Sequence, residues 1–364
     1  MTPDHDDKKG DSKSTKATPE KSHGVLYLGI DLGTSRTSVA SSNGVRETVS
    51  SWVGYPKDVV SRKALKRDIL FGDEALSHRL SLDLYRPLAS GVIQHSDTPD
   101  SVEAKAHLKA AQDLIRHAIS LARPRPDELI YAVVGCPAQC SSKNKRAILD
   151  AVRPVVDSAI VASEPFTVAY GIEQLTDCLV IDIGAGTTDL CRMHGTFPSD
   201  EDQVTNAFAG DYVDQKLVEL LGKSCPGASF TVHKVKEIKE KFSFVGDTRD
   251  PVHVDLPVNG KPTRFEISQQ MREACRSIVP PMVDAIHKLI ASFDSDFQSR
   301  LKNHVILGGG GSQMGGLREM LEEEMHARLG EGRVVRVDEP VYGGSNGALK
   351  IAHDMPAEYW EKLK

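Results

Sequence analysis

Two segments of this chain share one grammar. In the first, an apolar run at 25–30 (VLYLGI) ends in Asp31 and the turn Leu32-Gly33-Thr34-Ser35. A second strand is predicted at 37–41, followed by the hairpin turn Asn43-Gly44. In the second segment, the run at 178–183 (CLVIDI) holds Asp182 and leads into Gly184-Ala185-Gly186-Thr187-Thr188. A strand at 189–193 and a turn at His194-Gly195 come next. Asp31 and Asp182 align at an offset of 151 residues. One strand, acid and glycine turn is unremarkable. Two copies a domain's length apart predict a duplicated α/β domain built on a β-hairpin, with a cleft between the copies.

Helical patterns fill the intervals. At 101–122, Leu108, Ala111, Ile115, Ala118 and Leu121 fall on one face, and Asp100 with Glu103 reads as a capping box. A strand at 129–134 precedes a short helix at 143–153. Residues 164–171 read as a helix, with Pro165 tolerated in its first turn. Residues 267–293 read as helical on both sides of a kink or break at Pro280-Pro281. A third strand-to-glycine junction follows at 305–311, then a helix at 317–329 that Gly330 ends. Strands alternating with helices point to α/β sheets.

Composition narrows the function classes. The 364 residues allow two to three domains at ~150 residues each. Hydrophobic residues at 40% and charged residues at 26% exclude a wholly disordered or fibrous chain. The net charge of −6 argues against nucleic acid as a partner, because neutralising phosphates takes clustered Lys and Arg. No apolar run reaches the ~18 residues of a membrane span, and no signal peptide is expected. The six cysteines form no Cys-x-x-Cys pair and read as buried, reduced thiols of a cytoplasmic protein, with a zinc site improbable. Residues 1–23 hold five acidic and five basic residues and no Val, Ile, Leu or Phe, which predicts a disordered tail with no amphipathic membrane anchor.

Glycine turns after strands suit phosphates, since backbone N–H groups without Cβ neighbours approach an anion closely. Either turn alone could be an ordinary hairpin. Asp31 and Asp182 sit at strand ends, where an uncompensated carboxylate is costly. Mg²⁺ fits there, as a hard ion that keeps waters and takes few carboxylates; a structural Asp capping the turn is the alternative. No Gly-x4-Gly-Lys-Ser/Thr loop is present, and here the glycines lead into a strand rather than a helix, so P-loop and dinucleotide-fold readings are weak.

GIDLGTSRTSVA (29–40) and VIDIGAGTTDLC (180–191) resemble the two phosphate motifs of the actin, sugar kinase and heat-shock chaperone ATPase superfamily. LGGGGSQMGGL (307–317) resembles its adenosine motif, EIKEKFSFVG (237–246) an actin segment bordering the adenine, and YGGSNGALKIA (342–352) the segment returning the chain to the first domain. Within that superfamily, WVGYPKDVV (52–60), FGDEAL (71–76), VASEPFTVAYG (161–171) and the ending AEYW (357–360) resemble bacterial actin-like proteins of the magnetosome, the MamK family.

The resemblance implies ATP and Mg²⁺. Asp31 and Asp182 would hold the metal through water. Gly33, Thr34 and Ser35 would hold phosphates from one side, and Gly184, Ala185, Gly186, Thr187 and Thr188 from the other. Gly308, Gly309 and Gly310 would back the adenosine. Lys239 and Glu240 would flank adenine and ribose, with Gly210 and Asp211 at a helix start on the nucleoside side. Composition alone would make KEIKEK a solvated helix face. Glu164 and Asp182 are the expected catalytic residues; Glu164 could otherwise only satisfy the helix dipole. Arg36 receives no role.

The expected architecture is an actin-like fold. Domain I spans 24–173 with the return at 336–364, domain II spans 174–335, and smaller subdomains lie near 50–90 and 211–270. The expected function is an ATPase that polymerises head-to-tail into cytoplasmic, magnetosome-associated filaments, with other magnetosome proteins as possible partners and no direct membrane insertion. The alternatives are a small-molecule kinase on the same fold, for which no acceptor-activating base is evident, another ATPase on that fold, and a rod-shape-type actin. Deleting residues 1–23 should leave the melting temperature and nucleotide affinity unchanged; a drop in either, measured by calorimetry and titration, would mean that the tail packs.

Overall fold

The structure is a computed structural model describing residues 24–94, 100–247 and 250–363. The tail predicted at 1–23 lies outside the described residues.

Two five-stranded sheets carry the fold, and they have the same topology. In the first, strand Val25–Leu32 pairs antiparallel with Arg36–Ser41, which pairs antiparallel with Arg46–Ser50. On its other side Val25–Leu32 runs parallel to Leu129–Cys136, which runs parallel to Ser158–Ser163. In the second, Cys178–Ile183, Thr188–Met193 and Gln203–Asn206 form the antiparallel half. Val305–Gly308 and Val334–Arg336 form its parallel half. The central strands are covered on both faces, which is why they read as continuous apolar runs instead of alternating ones. The duplication extends to register. Asp31 lies beside Gly135 and Asp182 beside Gly308, each glycine on the neighbouring parallel strand.

Each sheet has its own apolar core, and a third core lies between them. That middle core joins Tyr131 and Val133 of the first sheet to Val180, Cys191 and Ile306 of the second. Helices Glu164–Gly171 and Gly343–Asp354 fill it, and Trp360 closes it. Trp360 is fully buried, stacks on Tyr131 at 5.0 Å and donates from Nε1 to the Ala352 carbonyl at 3.3 Å. The two helices cross backbone against backbone. A Cβ on Gly347 would stand 1.7 Å from the Thr167 carbonyl oxygen, and one on Gly29 would stand 2.0 Å from that of Ser345.

Smaller elements interrupt both halves. Strands Val53–Pro56, Leu70–Phe71 and Leu82–Tyr85 form a three-stranded sheet after the first β-meander. Helices Gly210–Ser224 and Val232–Phe242, with the hairpin His253–Val258/Lys261–Glu266, follow the second.

Three local expectations change. The helix Val102–Leu121 is capped by Ser101, whose Oγ accepts from Ala104 N at 3.0 Å; Asp100 and Glu103 form no capping box. Asp and Ser are equally competent caps, and the path of the chain into the helix places Ser101 at the cap position. The buried stripe of that helix runs through Ala104, Ala111, Leu114, Ile115, Ala118 and Ile119, with Leu108 and Leu121 at its margin. The break at 267–293 falls at Ser277–Ile278, between helices Ser268–Arg276 and Val279–Ala291. Pro280 and Pro281 thus occupy the first turn of the second helix, where no N–H is required. All six cysteines are free and buried.

Gly347→Ala should cost ~3 kcal/mol or more, because backbone must shift at the helix crossing. Gly222→Ala meets nothing within 4 Å in the helix Gly210–Ser224 and should stabilise by about 0.4–1 kcal/mol. Urea unfolding of both variants checks the pair; equal effects would contradict the packing described.

Candidate nucleotide site

The cleft is built from strand ends. Asp31 closes the first strand of one sheet, Asp182 the first strand of the other, and Glu164 opens the helix that follows Ser158–Ser163. Gly135 leaves room for Glu164, since a Cβ there would lie 3.3 Å from the Glu164 Cγ. Gly309, at φ 72°, passes so close to Asp182 that a Cβ would stand 2.4 Å from its Oδ1.

The two glycine turns meet face to face. The second is tight, with Gly184 N donating to Thr187 O at 2.9 Å. A Cβ on Gly186 would stand 2.4 Å from Thr34 Oγ1 of the first turn and 2.8 Å from the Ser90 Cα. Thr34 Oγ1 accepts from Gly91 N at 2.8 Å, and Ser51 donates from Oγ to the Gly33 carbonyl at 2.7 Å, which holds the first turn in shape. The helix Gly210–Ser224 abuts the second turn: Gly210 N donates to Gly184 O at 3.1 Å, and Asp211 N to Ala185 O at 2.7 Å.

Between the turns lies a cavity of about 380 Å³. Asp31, Gly33, Thr34 and Ser35 line one wall, and Asp182, Gly184, Ala185, Gly186 and Thr187 the other. Glu164, Gly210, Lys239, Glu240, Gly309 and Gly310 also line it. Three expected residues stand outside the lining. Thr188 is buried and donates from Oγ1 to the Phe208 carbonyl at 2.8 Å. Gly308 lies beneath, against Val168 and Asp182. Asp211 turns to Arg86. The sequence reading missed Arg36, Lys236, Gln313, Met314, Val341 and Gly344, all in the wall. Lys236 lies one helical turn before Lys239 and Glu240, a spacing that could have flagged it. Arg36 pairs across the cleft with Glu240 at 3.3 Å, and Lys236 contacts the Ser35 hydroxyl. Lys239 is buried, with Nζ 2.8 Å from Asp214 Oδ1 and from the Gly210 carbonyl.

The floor is unusually acidic. Asp31 is only partly covered as a residue, yet its carboxyl sits in the wall and burial pushes it up to about 6. Burial, and then the neighbouring carboxyls of Asp31 and Asp189, hold Asp182 well above the usual carboxylate range. Burial and the charges of Asp31, Asp189 and Asp182 do the same to Glu164. Asp189, directly across the strand pair from Asp182, is also raised by burial, against hydrogen bonds from Ala138 N at 2.7 Å and Thr205 Oγ1 at 2.5 Å. This donor set suits a hard cation. Among the described residues no three His, Cys, Asp or Glu side chains gather closely enough to chelate an ion directly.

These shifts carry a sign. The unfolded chain ionises its carboxyls near pH 4, while the folded chain keeps its protons to higher pH. The native state therefore binds more protons in that window, and stability falls as pH rises from about 4. The loss runs through about 6 for Asp31, and the raised carboxyls of Asp182 and Glu164 contribute in the same direction. The ligand-free protein should melt at lower temperature at pH 8 than at pH 5. Asp182→Asn should recover roughly 2–4 °C at pH 8 and little at pH 5. Scanning calorimetry at both values decides it; parallel pH slopes would mean that Asp182 ionises normally.

The family model for MreB/Mbl protein matches residues 26–357. The actin-like protein MamK of Paramagnetospirillum magneticum is 38% identical over 338 residues, covering 93% of this chain and 95% of that protein. Among solved structures, a MamK double helical filament matches with a TM-score of 0.86 and 37% identity, over 92% of this chain and 100% of that one. A non-polymerising MamK mutant bound to AMPPNP matches with a TM-score of 0.68 and 37% identity over the same shares. Two sheets of one topology around a cleft, and likeness of this extent along nearly all the described residues, establish that the chain belongs to the MreB/Mbl family of actin-like proteins and, within it, to the MamK family.

Proposed function

We propose that this chain binds and hydrolyses ATP and polymerises head-to-tail into cytoplasmic filaments that organise or position magnetosomes. The observation that carries this reading is the pair of glycine turns facing each other over a buried carboxylate floor. It is supported by MamK relatives solved as a filament and with AMPPNP. In this reading domain I is 24–173 with the C-terminal return, and domain II is 174–335.

The residues divide the work. Backbone N–H groups and hydroxyls of Gly33, Thr34 and Ser35 hold phosphates from one side, and those of Gly184 to Thr187 from the other, with Thr188 buried behind them. Gly309 and Gly310 let adenosine lie against backbone, while Lys239, Glu240 and the helix start at Gly210 border the nucleoside; Gly308 underlies Asp182, and Asp211 supports the second turn from outside the cavity. Asp31 and Asp182 would hold Mg²⁺ through water. When bound, Mg²⁺ would supply positive charge to the β- and γ-phosphate oxygens. Glu164 orients the attacking water and accepts its proton. Its raised affinity for protons makes it a stronger base than a solvated carboxylate, as general-base work near neutral pH requires. A repeated heterologous contact that does not close on itself gives a filament. Nucleotide in the cleft biases the domain arrangement that makes the contact.

Phosphate release and sedimentation on one sample test this reading. Glu164→Ala should still bind ATP and sediment, but hydrolyse ~10²–10⁴-fold more slowly. Asp182→Ala should lose Mg²⁺–ATP affinity and turnover together. Wild-type phosphate release from Glu164→Ala would remove that residue from the chemistry. A wild-type protein that never sediments with ATP would overturn the filament.

A further inference from the structure

Arg86 joins the two halves of the cleft. It sits between strands Leu82–Tyr85 and Leu88–Ala89, where the chain returns from the small three-stranded sheet. Its Nε donates to the Thr34 carbonyl of the first glycine turn at 2.9 Å. Its Nη2 lies 2.9 Å from Asp211 Oδ1 and 2.8 Å from Oδ2. Asp211 is the second residue of helix Gly210–Ser224, and its own N–H donates to the Ala185 carbonyl of the second turn. One guanidinium thus ties the first turn to the element that supports the second. The pair is largely covered, with side chains 26% and 33% exposed, so it is screened less than a surface ion pair. Arg86 is itself held: its carbonyl accepts from Gln94 Nε2 at 2.7 Å, and its guanidinium lies over Trp52 at 6.0 Å from the ring centroid. The other charged pair across the mouth, Arg36–Glu240, is nearly half exposed on both sides and has only one contact.

We infer that Arg86 is a positioning residue, a latch that must release Asp211 before the cleft can open. It thereby sets how long a nucleotide stays between the two turns. This rests on the nucleotide reading above. Asp211 then serves the site as the latch's partner. An ammonium could not replace the fork, because the planar guanidinium meets a carbonyl and a carboxylate at once.

Two measurements test it separately. The first uses no nucleotide. Spin labels on Lys63→Cys and Lys223→Cys, at exposed positions of the two small subdomains, report cleft width by pulsed electron resonance. Arg86→Ala and Asp211→Asn should each shift the distances to longer, broader values. An unchanged distribution in both variants overturns the latch. The second follows release of a fluorescent ATP analogue. Each single variant should release it roughly tenfold faster, and Arg86→Ala/Asp211→Asn together no faster than either alone. Arg86→Lys should recover only part of the delay. Additive acceleration in the double variant would show that the two residues act apart, and a melting temperature lowered with unchanged release would make Arg86 merely structural. Failure of the wild type to bind the analogue would sink the nucleotide reading, while the distances would still decide the latch.

Discussion

The crossing of helix Gly343–Asp354 over helix Glu164–Gly171 is the contact on which the cleft depends. It is made of backbone: Gly347 has no room for a Cβ beside the Thr167 carbonyl, and Gly171 would meet the Gly347 Cα at 2.9 Å. Both helices lie in the core shared by the two sheets, so their spacing sets how close the strand ends come. Only at that spacing can Gly186 pass over Thr34 and the carboxyls of Asp31, Asp182 and Glu164 share one floor. Glycine at these positions exchanges local helix propensity, of the order of 1 kcal/mol each, for an approach that no other residue allows.

That floor opposes folding. Burial raises all four carboxyls, and like charges add to it for Asp182 and Glu164, so a chain without ligand keeps protons there that a solvated carboxylate would shed. The folded body is what holds them together against that cost. A ligand bringing positive charge relieves it, and its binding energy then appears as stability of the closed cleft. Arg86, Arg36 and Lys236 span the gap, and in the function proposed above they would make binding and domain arrangement one equilibrium.

Much of this was legible beforehand, for a specific reason. The strand–acid–glycine grammar is local: apolar runs, turn residues and their spacing act within some fifteen residues, and the duplication doubled the signal. The helix start at Glu164 and the stop at Gly330 follow from neighbouring residues alone, the start at Gly210 from the family resemblance, and the structure has all three there. The cap of helix Val102–Leu121 was misread because Asp100 and Ser101 are both competent caps, and only the chain's approach angle chooses between them.

What the sequence by itself determined, then, is the inventory: two glycine turns, two strand-end aspartates, a helix-opening glutamate, buried thiols and a family. Tertiary structure decided who faces whom. That Asp189 joins the acidic floor follows from cross-strand register with Asp182, and that Asp211 looks to Arg86 follows from docking of residues 125 apart. Gly344 gained its place beside Asp31 only when the C-terminal helix returned to the first sheet. Contacts across such separations leave no periodicity or spacing to read, because the chain between them sets their distance only through the packing of everything else.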